Sequence, residues 1–381
     1  MKTAAIICEY NPFHNGHEYH IEETKRQSGA DSVIALMSGN FVQRGDAAVF
    51  DKRLRAEAAV RGGADLVLEL PSVYAVRSAE FFAKGAVFIL DSLGIVDFLS
   101  FGAECPQSDR IMQLSRLLSD EPHELKARIN AFCGKGLSYP RARMDAVGEL
   151  YGSEYSKLLS LPNNILAVEY CKALLRLNST IQPLPVCRSG AAHDSDSPCG
   201  GIASATHLRE LLYSGKADLA FEYMPSFCRE IFSGAEIHST AAMDRAIICG
   251  ILKMPPQMLR EISDVSEGLE NRIKQKALSC TTVSALADAV KTKRYTHSRI
   301  RRIILSAYLG ITAADRAALP PYIKVLAHSE NGCALIRRIK KAASLPLVRN
   351  RSQLNKLKNP AASEFWERED MFDTIYTFFR S

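Results

Sequence analysis

The sequence predicts an α/β protein in which a Rossmann-like, doubly wound parallel sheet is followed by a mainly helical, basic domain. Short apolar runs alternate with helical patterns in the first half of the 381 residues, which is the β-α-β rhythm of a doubly wound sheet. Amphipathic helical patterns take over in the second half, where positive charge is also concentrated. We expect a domain boundary near residues 215 to 240, dividing the chain into residues 1–225 and residues 226–381.

Five predicted strands account for the sheet. Each is a short apolar run flanked by Gly, Pro or polar residues, as buried parallel strands are, and they span residues 4–9, 32–37, 65–70, 97–101 and 184–188. Helical patterns occupy residues 52–61 and 79–93 between them. From about Ser204 onward the helical patterns are interrupted by prolines, at Pro255-Pro256, Pro320-Pro321 and Pro346.

The composition is that of a soluble, cytoplasmic globular protein. Hydrophobic residues make up 47% of the chain and charged residues 24%, and no window approaches the roughly 18 apolar residues that a membrane span needs. The N-terminal segment has no cleavage-like site. The ten cysteines are scattered without a CxxC pair, which favours free thiols over disulfides and argues against a zinc site.

Positive charge is strongly segregated along the chain. Residues 271–358 contain 19 Lys and Arg against three acidic residues, a net charge of +16, so that the remaining residues carry −10 of the total of +6. Three basic runs recur, in residues 291–302, 337–341 and 349–358. A single run would be typical of a solvated helical face, whereas their recurrence favours a surface that binds nucleic acid.

The first candidate site is the motif His14-Asn15-Gly16-His17, where an apolar strand meets a turn and a helix begins. This position is the carboxyl edge of a parallel sheet, where open α/β folds bind ligands. Gly16 lets a phosphate approach the backbone, the helix N-terminus attracts negative charge, and two imidazoles can donate hydrogen bonds to phosphate oxygens. A metal site that includes His20 is the rival interpretation, and a few surface histidines at a helix start are the plainest one.

The second candidate site is the run SATHLR at residues 204–209. Ser204 or Thr206 can cap the helix that begins here. A cap does not require Arg209, which lies about one turn further along and can reach the distal phosphates of a nucleotide. The two motifs together are much more specific than either alone, and they predict a nucleoside triphosphate site.

This pair of motifs, HxGH and SxTxxR, resembles those of the nucleotidylyltransferase and class I synthetase superfamily. More closely, the chain is similar to the bacterial tRNA(Met) cytidine acetate ligases. The similarity covers nearly the full length in long gapless phrases: CEYNPFHNGH at residues 8–17, MSGNFVQRGDAAVFDKRLRAE at 37–57, GADLVLELP at 63–71, SFGAE at 100–104, GLSYPRAR at 136–143, LPNNILAVEY at 161–170 and SATHLR at 204–209. Two small departures are Leu161, where a serine is expected, and Leu208, where isoleucine is commoner.

The resemblance implies an enzyme that makes acetyl-AMP from acetate and ATP with Mg²⁺, and then acetylates the exocyclic amine of the wobble cytidine in elongator tRNA(Met). It implies that His14 and His17 are the catalytic pair. No protein metal site is expected, because the sequence has no convincing Cys or carboxylate pair near the histidines with matching ligand spacing. The implied nucleotide-binding residues are Ile7, Cys8, Glu9, Tyr10, Asn11, Pro12, Phe13, His14, Asn15, Gly16, His17, Glu18, Tyr19, His20, Gly102, Asn163, Arg188, Ser204, Thr206 and Arg209.

Several details stay open at this level. Asn163 and Asn164 cannot be distinguished as the ATP contact, since either could cap the next helix. Residues 38–46 follow the second strand, so Gln43, Arg44 and Asp46 are candidate contacts or parts of a plain polar loop. Nothing in the residues themselves selects acetate over another short carboxylic acid.

Two other classes of function remain as alternatives. A small-molecule nucleotidylyltransferase uses the same motifs but has little use for the basic region. A non-enzymatic RNA-binding protein would explain the basic region but not the phosphate motifs. If adenylation belongs to residues 1–225 while residues 291–302 and 337–341 hold tRNA, charge reversal in these runs should abolish acetyl transfer and spare acetyl-AMP formation.

Overall fold

The computed structural model describes residues 1–104, 107–187, 201–266, 268–316 and 319–380. Nine strands lie within these ranges: β1 (Thr3–Cys8), β2 (Ser32–Ser38), β3 (Phe41–Val42), β4 (Asp46–Ala47), β5 (Leu66–Leu70), β6 (Phe98–Ala103), β7 (Gln182–Cys187), β8 (Ile323–His328) and β9 (Leu347–Val348).

The helices of the first part are α1 (Asn15–Ser28), α2 (Lys52–Arg61), α3 (Ser72–Ala75), α4 (Ala79–Ser92), α5 (Ser108–Asp120), α6 (His123–Gly134), α7 (Tyr139–Tyr151), α8 (Ser153–Leu158), α9 (Pro162–Arg176), α10 (Ala205–Tyr213) and α11 (Ala217–Phe221). Those of the second part are α12 (Ser226–Phe232), α13 (Asp244–Lys253), α14 (Pro256–Arg260), α15 (Leu269–Ala277), α16 (Val283–Val290), α17 (His297–Leu309), α18 (Glu330–Ala342), α19 (Arg351–Asn355) and α20 (Pro360–Tyr376).

The main sheet has seven strands in the order β7-β6-β1-β2-β5-β8-β9. The first five of these are parallel to one another, and β8 pairs antiparallel with β5. The predicted Rossmann-like class is confirmed, and each of the five predicted strands is present within two residues at either end. Strands β8 and β9 come from beyond residue 226, so the sheet draws on both predicted parts, and the boundary at 225/226 stays a prediction.

The central strands are buried on both faces. In β1 and β2, alternate side chains enter two different hydrophobic cores: Ala5 and Ile34 pack with α4 and α9 on one face, while Ala4 and Val33 pack with α1, α2 and α10 on the other. All four of these side chains are fully inaccessible to solvent. Burial on both faces explains why the strands are nearly continuous apolar runs in the sequence.

A buried ion-pair cluster fastens the C-terminal residues to the sheet. The carboxylate of Glu69, at the end of β5, accepts hydrogen bonds from Lys52 Nζ at 2.5 Å and from Lys324 Nζ at 2.9 Å. Asp373 on α20 pairs with the same Lys52 at 2.5 Å. Because buried charges are stable only when paired, these four groups depend on one another. Glu369 lies beside them, and burial together with the charge of Glu69 raises its pKa to about 7.

Helix α18, which carries the basic run at residues 337–341, crosses the amino ends of the parallel strands. Arg338 Nη1 donates to Thr3 Oγ1 at 3.1 Å, at the first residue of β1. Gly332 packs so closely on the residue before β5 that a Cβ would lie 2.1 Å from Asp65 O. This run therefore lies at the edge of the sheet opposite to the carboxyl ends.

Eight of the ten cysteines fall within the described residues, and all eight are free thiols; Cys105 and Cys199 lie outside. Across the described part of the chain, none of the helices combines the length and apolar character required for crossing a membrane.

Candidate active site

A cavity of about 300 Å³ opens at the carboxyl ends of β1, β6 and β7. This is the ligand-binding edge of an open α/β sheet. Most of the predicted nucleotide-binding residues line it, namely Ile7, Cys8, Glu9, Tyr10, Asn11, His14, Gly16, His17, Tyr19, His20, Gly102, Asn163, Ser204, Thr206 and Arg209. The fold thus brings both sequence motifs, which are almost 190 residues apart in the chain, to one cavity.

The two histidines form the N-terminal cap of α1. His14 has an extended backbone with φ −150° and ψ 172°, and its Nδ1 accepts the N–H of Gly16 at 3.0 Å. The Nδ1 of His17 accepts the N–H of His14 at 3.3 Å. These reciprocal bonds are a capping box in which imidazoles replace the usual Ser/Thr and Glu/Gln side chains. The two rings stack with their centroids 3.7 Å apart.

The cap determines which ring nitrogens are donors. Since Nδ1 of both His14 and His17 accepts a backbone N–H, each neutral ring must carry its proton on Nε2. Two Nε2–H donors therefore stand at the positive end of α1, a position that favours a bound anion. Gly16 suits this packing, because a Cβ there would make tight contacts of 3.0 Å with His14 Cε1 and 3.3 Å with Ile202 Cγ2.

His20 also lines the cavity and contacts strand β6. Its Nε2 lies 3.0 Å from Ser100 Oγ on β6, and Ser100 Oγ lies 2.7 Å from Thr24 Oγ1. Among the described residues, no group of three or more His, Cys, Asp or Glu side chains is arranged to hold a metal ion.

Four residues of the predicted stretch do not line the cavity. Phe13 is fully buried beneath Gly62, where a Cβ would lie 2.3 Å from the ring. Asn15 donates from Nδ2 to Gly201 O at 3.1 Å and thereby ties α1 to the segment before α10. Pro12 and Glu18 are also absent from the cavity wall. A turn followed by a helix directs only part of this stretch towards the cavity, and the nucleotide-binding role of its residues stays a prediction.

The second motif docks directly on the first. Ser204 caps α10 by accepting the N–H of His207 at 3.2 Å. Arg209 Nη1 donates to Asn11 O at 2.7 Å, and its Nη2 donates to Thr206 Oγ1 at 3.1 Å. Burial, and secondarily the charge of Arg44, lowers the pKa of Arg209. A desolvated guanidinium beside a second one favours the binding of an anion.

The two candidate asparagines at the start of α9 differ in position. Glu104 caps this helix, since its carboxylate accepts the N–H of Asn164 at 3.0 Å and Nδ2 of Asn163 at 2.6 Å. Asn164 is fully buried, and its Oδ1 accepts the N–H of Glu104 at 3.1 Å. Only Asn163 of the two lines the cavity. Arg188 lies outside the described residues.

The cavity also has walls that the sequence did not single out. Its apolar side includes Phe82, Phe101, Leu166, Tyr170 and Val186. These residues lie at the ends of β6 and β7 and on α4 and α9. Because apolar residues at such positions usually belong to the core, the sequence alone did not indicate that they line a cavity.

Arg55 on α2 is a further residue that sequence reasoning missed. It is fully buried and donates to Glu9 O at 2.6 Å, Ser38 O at 3.2 Å and Gly39 O. It therefore joins the ends of β1 and β2 beside the cavity. Five of the ten residues of α2 are charged, so nothing in the sequence separated Arg55 from an ordinary surface charge.

Part of the basic charge of residues 271–358 is used inside the protein. Lys274 Nζ donates to Ile251 O at 3.1 Å and Met254 O at 2.9 Å, at the end of α13. Arg299 donates to Asp264 O at 2.6 Å, and Arg301 pairs with Asp46 at 2.8 Å. Arg299 and Arg301 belong to the run at residues 291–302, whose exposed members Lys291 and Lys293 stay candidates for contact with RNA.

A parallel sheet whose carboxyl edge joins two helix-capping histidines to a Ser/Thr/Arg helix start defines a nucleotide-binding protein of the nucleotidylyltransferase class. The sequence matches the HIGH nucleotidyl transferase family over residues 1–381. It is 37% identical over 392 residues to a tRNA(Met) cytidine acetate ligase of Acetivibrio thermocellus, covering 99% of this chain and 94% of that protein. A relative of the same name from Caldanaerobacter subterraneus is 38% identical over 387 residues, with coverages of 99% and 95%.

Two solved structures are also similar to this chain over its full length. The crystal structure of apo Thermotoga maritima TmcAL matches with a TM-score of 0.95 at 32% identity and covers 100% of this chain and 96% of that one. The same protein bound with alpha-thio ATP matches with a TM-score of 0.93 and coverages of 100% and 95%. The chain therefore belongs to the HIGH nucleotidyl transferase family and, within it, to the tRNA(Met) cytidine acetate ligases.

Proposed function

We propose that this chain is an ATP-dependent ligase that forms acetyl-AMP from acetate and ATP and transfers the acetyl group to the wobble cytidine of elongator tRNA(Met), giving N4-acetylcytidine. The observation that carries the proposal is the pair of Nε2–H donors of His14 and His17, which share one cavity with Thr206 and Arg209. The relatives named above, and a structural neighbour that binds an ATP analogue, support the same assignment. A cytoplasmic location, where ATP and tRNA are both available, belongs to the proposal.

In the first step, an acetate oxygen attacks the α-phosphorus of ATP, the bond to the bridging oxygen breaks, and pyrophosphate leaves. The two Nε2–H groups donate to the α-phosphate oxygens, on which negative charge increases in the transition state. Arg209 and Thr206, together with the N-terminus of α10 that Ser204 caps, hold the β and γ phosphates. In this proposal Asn163 and Gly102, which also line the cavity, contact the nucleoside.

Magnesium would enter with the triphosphate. Two carboxylates occur among the described residues that line the cavity, Glu9 and Asp46. Asp46 is already paired with Arg301 at 2.8 Å, and Glu9 accepts the N–H of Gln43 at 2.8 Å. Because Mg²⁺ keeps waters and phosphate oxygens as most of its ligands, this set fits an ion carried by the nucleotide. Bound there, the ion would neutralise charge on the leaving pyrophosphate.

In the second step, the exocyclic amine of cytidine attacks the acetyl carbonyl, AMP leaves, and the nitrogen loses a proton. The RNA must therefore reach the carboxyl edge of the sheet. Lys291 and Lys293 are exposed and lie just before α17. His297, the first residue of α17, is only about 6 Å along the helix axis from Arg301. Arg301 pairs with Asp46, which lines the cavity. We propose that this end of the basic region binds the anticodon arm. The run at residues 337–341 lies at the opposite edge of the sheet, so in this proposal it is not part of the surface that binds the anticodon arm.

The test is an isotope-exchange and transfer assay with the full chain. Pyrophosphate exchange into ATP should require acetate and proceed without tRNA, and N4-acetylcytidine should form only when tRNA(Met) is added. Propionate and glycine serve as comparison acids, since nothing in the apolar wall alone selects acetate. Exchange that is independent of any acid would reject the ligase assignment, and a nucleotide left on the product would indicate a nucleotidylyltransferase instead.

A further inference from the structure

The basic region and the nucleotide site meet at one loop, residues 43–46, which we call the 43–46 loop. It leads from β3 to Asp46, the first residue of β4. Gln43, Arg44 and Asp46 line the cavity. Asp46 accepts hydrogen bonds from Arg301 Nη2 on α17 at 2.8 Å and from Thr240 Oγ1. The side chains of Arg301 and Asp46 are 19% and 30% exposed, respectively. Such a partly desolvated, charge-assisted contact is stronger than an ion pair on an open surface.

The backbone of the loop also rests on α17. Gly45 has φ +76°, and a Cβ at this position would lie 2.5 Å from Arg302 N and 2.6 Å from the carbonyl carbon of Arg301. Glycine is therefore needed both for the turn and for the close approach of two backbones. Arg302 Nη1 donates to Gln43 O at 3.5 Å. The loop is thus fixed along its length by one helix of the basic region.

The other side of the loop faces the groups assigned to the phosphates. Gln43 N donates to Glu9 Oε1 at 2.8 Å, which joins the loop to the turn that precedes His14. Arg44 Nη1 donates to Thr206 Oγ1 at 3.4 Å, and the same hydroxyl accepts Arg209 Nη2 at 3.1 Å. Two guanidinium groups therefore converge on one hydroxyl within the cavity, and this is where charge on a triphosphate would be most favourably placed.

We propose that Arg301 is a positioning residue of the adenylation site: through Asp46 it holds the 43–46 loop, and so keeps Arg44 beside Arg209 to bind the distal phosphates of ATP. The inference rests on the proposed function for the identity of the nucleotide. Charge reversal in residues 291–302 was expected to spare acetyl-AMP formation. Reversing the charge of Arg301 should instead impair it, because Arg301 supports the nucleotide site as well as contributing positive charge. An RNA that binds around α17 would therefore contact the helix that positions the 43–46 loop.

The test compares Arg301→Ala with the isosteric Asp46→Asn, and uses Arg351→Ala as a matched control. Arg351 also forms an ion pair, with Glu367 at 2.6 Å, but on an exposed surface in the C-terminal segment. Binding of ATP and of AMP is measured by calorimetry on the full chain without acetate or tRNA. We expect both loop variants to weaken ATP binding by about 10- to 100-fold, with AMP binding changed by less than about threefold and the control unchanged.

A double variant carrying both changes should be no weaker than either single variant, since both remove the same contact. Arg44→Ala should reproduce the selective loss of ATP. Equal weakening of ATP and AMP, or unchanged ATP binding in Asp46→Asn, would overturn the positioning role. Because this measurement needs no acid and no RNA, it can fail while acetate-dependent exchange succeeds, and it can succeed while that exchange fails.

Discussion

Replacing each capping histidine by asparagine should separate its structural task from its chemical one. The Oδ1 of an asparagine at position 14 would occupy the place of His14 Nδ1, which accepts the N–H of Gly16 at 3.0 Å. Asparagine is also among the best N-cap residues. His14→Asn should therefore fold with nearly unchanged stability but lack the Nε2–H donor, whereas His14→Ala loses both. The same substitution at His17 preserves the acceptor for the N–H of His14.

The expected magnitudes differ for the two readouts. Loss of the cap in His14→Ala should lower the free energy of unfolding by about 1 kcal/mol, and His14→Asn should stay within a few tenths of a kcal/mol of the unchanged protein. Acetate-dependent pyrophosphate exchange should fall by about 100- to 1000-fold in both, since one donor to a developing oxyanion is removed. Denaturant unfolding and the exchange assay measure the two quantities on the same samples.

Either of two results would refute this reasoning. Exchange at the rate of the unchanged protein in His14→Asn, with ATP still bound, would mean that Nε2–H of His14 does not stabilise the transition state. Equal stability of His14→Asn and His14→Ala would mean that the Nδ1 contact with Gly16 contributes nothing to the helix start.

Three more outcomes are expected. Arg209→Ala should raise the KM for ATP by about 10- to 100-fold and leave AMP binding nearly unchanged; equal loss in calorimetry would assign Arg209 to the turn at Asn11 instead. Lys293→Ala should flatten the log-log salt dependence of tRNA binding by roughly 0.7 to 0.9, while Lys340→Ala, at the opposite edge, should leave the slope unchanged. The folded protein keeps the Glu369 proton up to about pH 7, whereas an unfolded glutamate releases it near a pKa of about 4.3. The free energy of unfolding should therefore fall by up to about 4 kcal/mol as the pH rises through this window. Thermal melts of Glu369→Gln should lack this fall; a fall as large as in the unchanged protein would exclude Glu369 as its source.

The parts of the fold that could be predicted are those with a local signature. Strands β1, β2 and β5 are buried on both faces, so each is an apolar run that stands out in the sequence. Strand β8 could not be found in this way, because its six residues owe their conformation to an antiparallel partner about 260 residues earlier in the chain. Prolines just before it suggested only an interruption between helices.

The candidate site likewise has parts that could be predicted from a local sequence signature and parts that could not. The two motifs could be located because each combines a helix start with residues suited to phosphate. The capping function of the histidines could not, since it depends on the extended backbone of His14. The pairing of Asp46 with Arg301 was also inaccessible, because the two residues are separated by 255 positions and either one alone looks like an ordinary surface charge.

Strand β8 and the cluster around Glu69 have a consequence for attempts to dissect the protein. A chain cut near residue 225 would lose Lys324 and Asp373, leaving Glu69 and Lys52 buried with half of their partners, and it would expose the pairing edge of β5. Uncompensated buried charge and an open strand edge both favour aggregation over folding. Residues 1–225 alone are therefore not expected to fold into an active catalyst, and a shortened enzyme must keep β8 and α20.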